Sequence, residues 1–460
     1  MTTSIAVRLR AVPAVIFLLF LAACASDTAP VPAPAPAPVA AAPEAVPPAP
    51  VAPEPVKPLR DTTKFLNPGF MAGQDTVRVA LILPFNSGTA RVKELAQSMA
   101  NAAQLALFEF QAKDVLLMTY DSGTDAASAA AAGQHALDQG ADIILGPLFA
   151  SSVTGLAPLA AKVQVPVVAF STDSSTAGNG VYLLSFPPDQ DVKRIVAYAR
   201  SRGLSHFAEL VPQGAYGRRA SDAFEAEVQA EGGTIARRGD YSSDPAQMEN
   251  AIRKIIGAGA QKVSPATSET DAEVDPGTGG GPAVPGTAPA PSLAFDAVFI
   301  PDGAASLQGV TGLLSDYGVS SANVRFLGTG LWDDPSLVSV PSLEGGWYPA
   351  PPSDGRLSFA SRYQQTYGST PPRLAGLAYD AMSLAIVLSR RPAADRYSAA
   401  ALTNPDGFAG LDGVFRFAPN GLVERGLAVY EIHPGGATQI DPAPTDFKAQ
   451  DQAPAQPPAY

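Results

Sequence analysis

The chain has 460 residues, of which 46% are hydrophobic and 16% charged, and its 31 basic and 43 acidic residues give a formal net charge of -12. With no basic stripe to neutralise phosphates, nucleic acid is excluded as a partner. A single cysteine excludes an internal disulfide, which suits a domain large enough to stand on its apolar core.

The first segment has the three parts of an export signal: Arg8 and Arg10 as a basic start, an apolar stretch over 11–21, and small residues leading to Ala22-Ala23-Cys24. It is short for a bilayer-spanning helix, which needs about 20 apolar residues. A lone cysteine directly behind such a run reads as a bacterial lipoprotein site, so residues 1–23 are expected to be removed and Cys24 to carry lipid. Ala25 follows, where an aspartate would favour retention in the inner membrane, and outer-membrane anchoring facing the periplasm is expected.

Residues 24–75 are expected to form a linker, because the tract from about 28 to 59 is nearly all Ala, Pro and Val and has little to pack. Run as polyproline II at about 3.1 Å per residue, roughly 32 residues would reach at most about 100 Å. A second biased stretch, 264–291, lacks apolar periodicity and reads as a mobile surface insertion. Residues 439–460 read as a disordered tail. The folded body is therefore expected over 76–438, large enough to suggest two lobes.

Within that body, strands and helices alternate. "TVRVALILPF" (76–85), "DVLLMTY" (114–120), "DIILGP" (142–147) and "VPVVAF" (165–170) are apolar runs separated by helical patterns at 92–110, 126–139 and 152–162. Runs buried on both faces and joined by helices are what a parallel sheet requires. The rhythm restarts with "HFAELVP" (206–212), "TIARRGDY" (234–241), "FDAVFIP" (295–301) and "VRFLGT" (324–329), with helices expected at 217–231 and 245–257. A helix over 373–390 and two strands, "GVFRFAP" and "LAVYEIH", close the chain. The expected fold class is α/β, with two doubly wound parallel-sheet lobes joined by a hinge: lobe I about 76–186 and 350–412, lobe II about 187–349 and 413–438.

Ligands of such sheets sit outside the carboxyl ends of the strands. There "DIILGP" runs into Ser151 and Ser152 at a helix start, and "VPVVAF" runs into Thr172, Asp173, Ser174 and Ser175, a dense set of small donors and acceptors. A helix cap and a solvated turn are the plain alternatives for these residues, and packing is the plain role for Trp332 and Trp347. Asp333 and Asp334 read as helix caps. Catalysis is not expected: His135, His206 and His433 are scattered, and neither GxxxxGK[ST] nor GxSxG occurs. No metal or cofactor is expected.

The pieces "ILGPLFASS", "VPVVAFSTDSS", "PDGAAS", "LGTGLWDD" and "GGWYPAP" resemble type I periplasmic binding proteins of the leucine-binding kind. Within them, they are similar to the penicillin-binding protein activators, outer-membrane lipoproteins with an LpoA-like carboxyl-terminal domain. The resemblance covers nearly all of 76–438. It implies that the loops at Ser151–Ser152 and Thr172–Ser175 hold a carboxylate, that Tyr216 closes over the ligand from the second lobe, and that Asp302 stands in for the acid facing an ammonium group. The loop at 328–330 carries no carboxylate where leucine-type binders have one. Two functions follow as expectations: a lipid-anchored regulator of a penicillin-binding peptidoglycan synthase, or a lipoprotein that binds a small polar ligand such as an amino acid for an ABC importer. The activators carry a helical repeat domain ahead of this one, and here the linker takes its place.

Overall fold

A computed structural model of the chain describes residues 65, 67–86, 89–257, 261–262 and 293–448. Cys24, the signal over 1–23, the linker up to 64, the insertion at 264–291 and the tail beyond 448 lie outside the described residues. Among the described residues, no helix is long and apolar enough to cross a membrane.

Strand β1 (Val77–Leu83) is buried along its whole length. Its alternate residues face opposite ways, as the pleat dictates. Val77, Val79, Leu81 and Leu83 pack with helices α1 (Ala90–Glu109) and α9 (Ala375–Ser389), while Ala80 and Ile82 pack with α2 (Ala126–Asp138) and α3 (Ala150–Lys162). Two covered faces explain why the strand reads as an apolar run interrupted only by Arg78. It is the second strand of a parallel sheet ordered β2-β1-β3-β4-β5, with β2 (Val115–Asp121), β3 (Ile143–Leu145), β4 (Val167–Ala169) and β5 (Val181–Leu183). This is lobe I.

Lobe II repeats the order. Strands β6 (His206–Pro212), β7 (Thr234–Tyr241), β8 (Ala297–Phe299), β9 (Arg325–Leu327) and β10 (Trp347–Ala350) lie as β7-β6-β8-β9-β10, all parallel. Helices α4 (Pro188–Ser201) and α5 (Ala215–Ala230) cover one face, and α6 (Pro245–Ile256) and α7 (Ala304–Asp316) the other. Helix α8 (Ser353–Tyr367) carries the chain back to lobe I, where Tyr363 and Tyr367 hydrogen-bond to α1. A small antiparallel sheet follows, β11 (Phe408–Gly410), β12 (Gly413–Phe417) and β13 (Val423–Arg425), and then β14 (Ala428–His433) and β15 (Gly436–Asp441) join lobe II antiparallel beyond β10. The chain thus passes between lobes three times, at 184–187, 351–352 and 426–427.

Three expected boundaries move. Residues 413–425 belong to lobe I rather than lobe II, because Phe415, Phe417 and Val423 enter the core shared by β1, α1 and α9. The linker ends earlier than 75: Met71 is buried, Arg78 lies 4.9 Å from the centre of the Phe65 ring, and Asp75 pairs with Arg396 at 2.9 Å. The tail starts later than 439, since β15 extends to Asp441 and Phe447 is buried beneath Arg416. In each case a few apolar side chains, set among Pro and Gly, find a surface that periodicity cannot reveal. Strand β10 was also hidden. Its "WYPA" contains a proline, which argues against a strand interior, yet it pairs with β14 at Pro349–Val429.

Candidate functional site

The carboxyl ends of both sheets deliver their loops to the region between the lobes. From lobe I come the turn after β3, which begins α3, and the turn after β4. Phe149, not a serine, is the N-cap of α3, so Ser151 and Ser152 lie inside its first turn. Their backbone N–H groups are therefore among those that a helix start leaves without intrahelical partners. The Ser151 hydroxyl donates to the Thr124 carbonyl at 3.3 Å. The Ser152 hydroxyl is fully buried and has no partner among the described residues.

After β4, Asp173 organises its own loop. Its carboxylate accepts the Ser175 N–H at 3.0 Å and the Ser175 hydroxyl at 2.7 Å, and caps the turn Ser174–Thr176. Those bonds, the hydroxyl first, hold the Asp173 carboxyl below its ordinary range. Asp173 and Ser175 are thus engaged with each other. Thr172 and Ser174 instead line a cavity of about 120 Å³, together with Ser185, Asp189, Gln190 and Arg219. The cavity lies beside the first crossing. Ser151, Ser152, Tyr216 and Asp302 are not on its wall.

From lobe II, Tyr216 in the first turn of α5 donates to the Thr329 hydroxyl at 3.0 Å. Burial, and then the nearby Asp191 charge, push its phenol up from the ordinary tyrosine value. Asp302 has both oxygens occupied within its own lobe, accepting from the Tyr241 hydroxyl at 2.6 Å and the Gly303 N–H at 2.8 Å. Neither side chain reaches across to lobe I. The loop at 328–330 is likewise tied down, with the Gly330 N–H donating to Asp191 at 2.9 Å. A Cβ at Gly330 would stand 3.1 Å from that carboxylate, so the close approach favours glycine.

What does cross the gap is arginine. Arg219 on α5 donates to the Thr172 carbonyl of lobe I and lies 3.4 Å from Asp189 at the start of α4. Arg356 on α8 of lobe I pairs with Asp333 of lobe II at 3.1 Å. Of the adjoining acids Asp333 and Asp334, then, only Asp334 caps a turn, accepting the Ser336 N–H at 2.8 Å. Sequence reasoning passed over both arginines, because an arginine on an amphipathic helix reads as solvated surface. Trp332 and Trp347 are packing residues of lobe II: Trp347 donates to Glu431 at 2.6 Å and lies under Arg325, and Trp332 is 1% exposed.

This architecture has relatives. A family model described as periplasmic binding protein matches residues 76–437. Among solved structures, a Rhodospirillum rubrum chain assigned to branched-chain amino acid ABC transport superposes with a TM-score of 0.65 at 16% identity, covering 79% of this chain and 100% of that one. A leucine-binding protein of Thermotoga maritima gives 0.52 at 18%, over 80% and 99% of the two chains. The C-domain of LpoA from Haemophilus influenzae, a regulator of PBP1A, gives 0.56 at 15%, over 79% and 99%. An uncharacterised protein of Rickettsia prowazekii is 21% identical over 182 residues, which is 40% of this chain and about half, 48%, of that protein's length. The duplicated sheet order, the three crossings and the match over most of the chain agree: this protein belongs to the periplasmic binding protein family.

Proposed function

We propose that the chain is a non-catalytic, lipid-anchored regulator that docks on a penicillin-binding peptidoglycan synthase from the outer membrane and stimulates it. The observation that carries this reading is the state of the cleft. The lobes are bridged by the chain's own side chains, Arg219 to Thr172 and Arg356 to Asp333, and the cavity beside Arg219 measures only about 120 Å³. Pockets that engulf drug-sized ligands are larger, about 300–1,000 Å³. A body held shut from within suits a docking surface better than a carrier that must open and close on cargo. The LpoA C-domain, described as a regulator of PBP1A, supplies the precedent for this fold in that role.

The second reading, a substrate-binding lipoprotein of an ABC importer, is favoured by one observation: Thr172 and Ser174 do face a partly polar cavity, with Arg219 beside them. The two separate in vitro. Adding the purified, lipidated chain to a purified synthase of the penicillin-binding type is expected to raise its rate of glycan polymerisation or cross-linking, while calorimetric titration of the chain with leucine and with glutamate gives no binding heat. Micromolar binding of either compound with no change in synthase rate would reverse the assignment.

A further inference from the structure

Where the crossings converge, five charged side chains meet, three of them shut away from water. Asp380 on α9 is 2% exposed and Asp412, just before β12, 1%. Arg425 at the end of β13 is also buried, and Arg373, ahead of α9, binds Asp412 at 2.5 Å. Asp191, half-buried on the first turn of α4, brings a third carboxyl from lobe II into the field of the same two guanidinium groups. Phe186, on the first crossing, is gripped between Arg373 and Arg425, whose guanidinium carbons lie 4.4 and 4.5 Å from the centre of its ring. The Arg425 Nε donates to the Ser185 carbonyl on the same crossing at 2.9 Å. The cluster therefore holds the segment about which the lobes must turn.

Its bonding is incomplete. Asp191 accepts the Gly330 N–H and Asp380 the Leu411 N–H at 2.8 Å, but among the described residues Oδ2 of Asp380, Oδ2 of Asp412 and both terminal nitrogens of Arg425 are buried without partners. Such atoms are costly to leave unpaired, and water satisfies them wherever it can enter. The charge count is also unequal, with three carboxyl groups (Asp191, Asp380, Asp412) against two guanidiniums (Arg373, Arg425). A neutral cluster needs one carboxyl to keep its proton. Burial pushes Asp191 up to about 7, against the pull of the Gly330 N–H, Arg373 and Arg425, with Asp189 pushing the same way as burial. Burial, and then the charge of Asp412, do the same to Asp380, against the pull of the Leu411 N–H and both arginines.

We propose that this cluster is a proton-operated hinge: with one extra proton among its three carboxyls it locks the crossings and the lobes, and on losing that proton it opens enough to admit water to its unpaired atoms. The sign follows from linkage. A carboxyl raised in the closed state favours that state below its raised pKa and penalises it as pH climbs through that value. Closure is therefore tightest in mild acid and loosens on the alkaline side of neutrality. The hinge is independent of whether the body docks on a synthase or carries a solute.

Amide hydrogen exchange on the full chain, corrected for the intrinsic dependence of exchange on pH, reads this directly. Between pH 6 and pH 8.5, protection of peptides covering 184–192, 328–332 and 409–414 is expected to fall about tenfold, the factor that one pKa unit of preference represents. Peptides covering 77–83 should hold constant. In D191N and D380N chains, which keep an acceptor for Gly330 and Leu411 but cannot titrate, the fall should shrink, and in the double variant it should vanish. Equal protection at both pH values in the wild-type chain overturns the proposal, and so does a D380N chain that loses protection as steeply as the wild type. The wild-type comparison decides even if the double variant fails to fold.

Discussion

Arg219 joins the lobes by bonding to a backbone carbonyl and lying beside a half-exposed acid. Removing it should alter the cleft far more than it alters stability. The Asp189 pair is partly solvated and worth about 0–1 kcal/mol, and water can replace the donor to Thr172. In an Arg219→Ala chain, the denaturation midpoint is accordingly expected to move by the equivalent of about 1 kcal/mol or less, while amide exchange over 170–176 rises several-fold. A loss of global stability above about 3 kcal/mol would mean that Arg219 supports the core and not the latch. The same scale explains which site residues sequence could place. Ser151, Ser152 and Thr172 to Ser175 were candidates by their position after apolar strands, and that position, at the carboxyl edge of the lobe I sheet, is what the structure shows. Their bonding was not legible. That Asp173 and Ser175 satisfy one another, or that Asp302 answers Tyr241, depends on side-chain directions and on partners up to 61 residues away.

At the scale of elements, α2 and α3 lie on the same face of the sheet and approach closely because their contact residues are small. A Cβ on Gly155 would stand 2.1 Å from the Ala126 carbonyl, and one on Gly133 would meet Leu156 at 1.8 Å. Backbone cannot give way as a long side chain can. Gly155→Ala is therefore expected to destabilise the chain by about 1–3 kcal/mol despite alanine's better helix propensity, as measured by urea denaturation. An unchanged or raised midpoint would show that the helices can separate without loss. Elements such as β1, β6, α1 and α2 were readable because long runs of one period repeat the same burial decision at every residue. Strands β5, β10, β11, β13 and β15 were not. They have three to six residues each, several set between glycines or prolines, and what makes them strands is a neighbour supplied from far along the chain. Assignment of 413–425 to the wrong lobe has the same origin: alternation along "GVFRF" shows a half-buried strand but not whose core it enters.

For the whole molecule, two sheets of equivalent order are joined by three crossings, and buried charge gathers where those crossings meet. A family built to open and close thus provides a body whose gap is spanned here by Arg219 and Arg356 and whose hinge is clamped around Phe186. Side chains that span the gap favour a docking surface over solute delivery, since a partner then meets a pre-ordered shape. The most direct test of that claim is affinity capture of the full lipidated chain from separated envelope membranes. Recovery from the outer-membrane fraction together with a penicillin-binding synthase is expected. Recovery from the inner membrane with an importer permease, and no synthase, would contradict it.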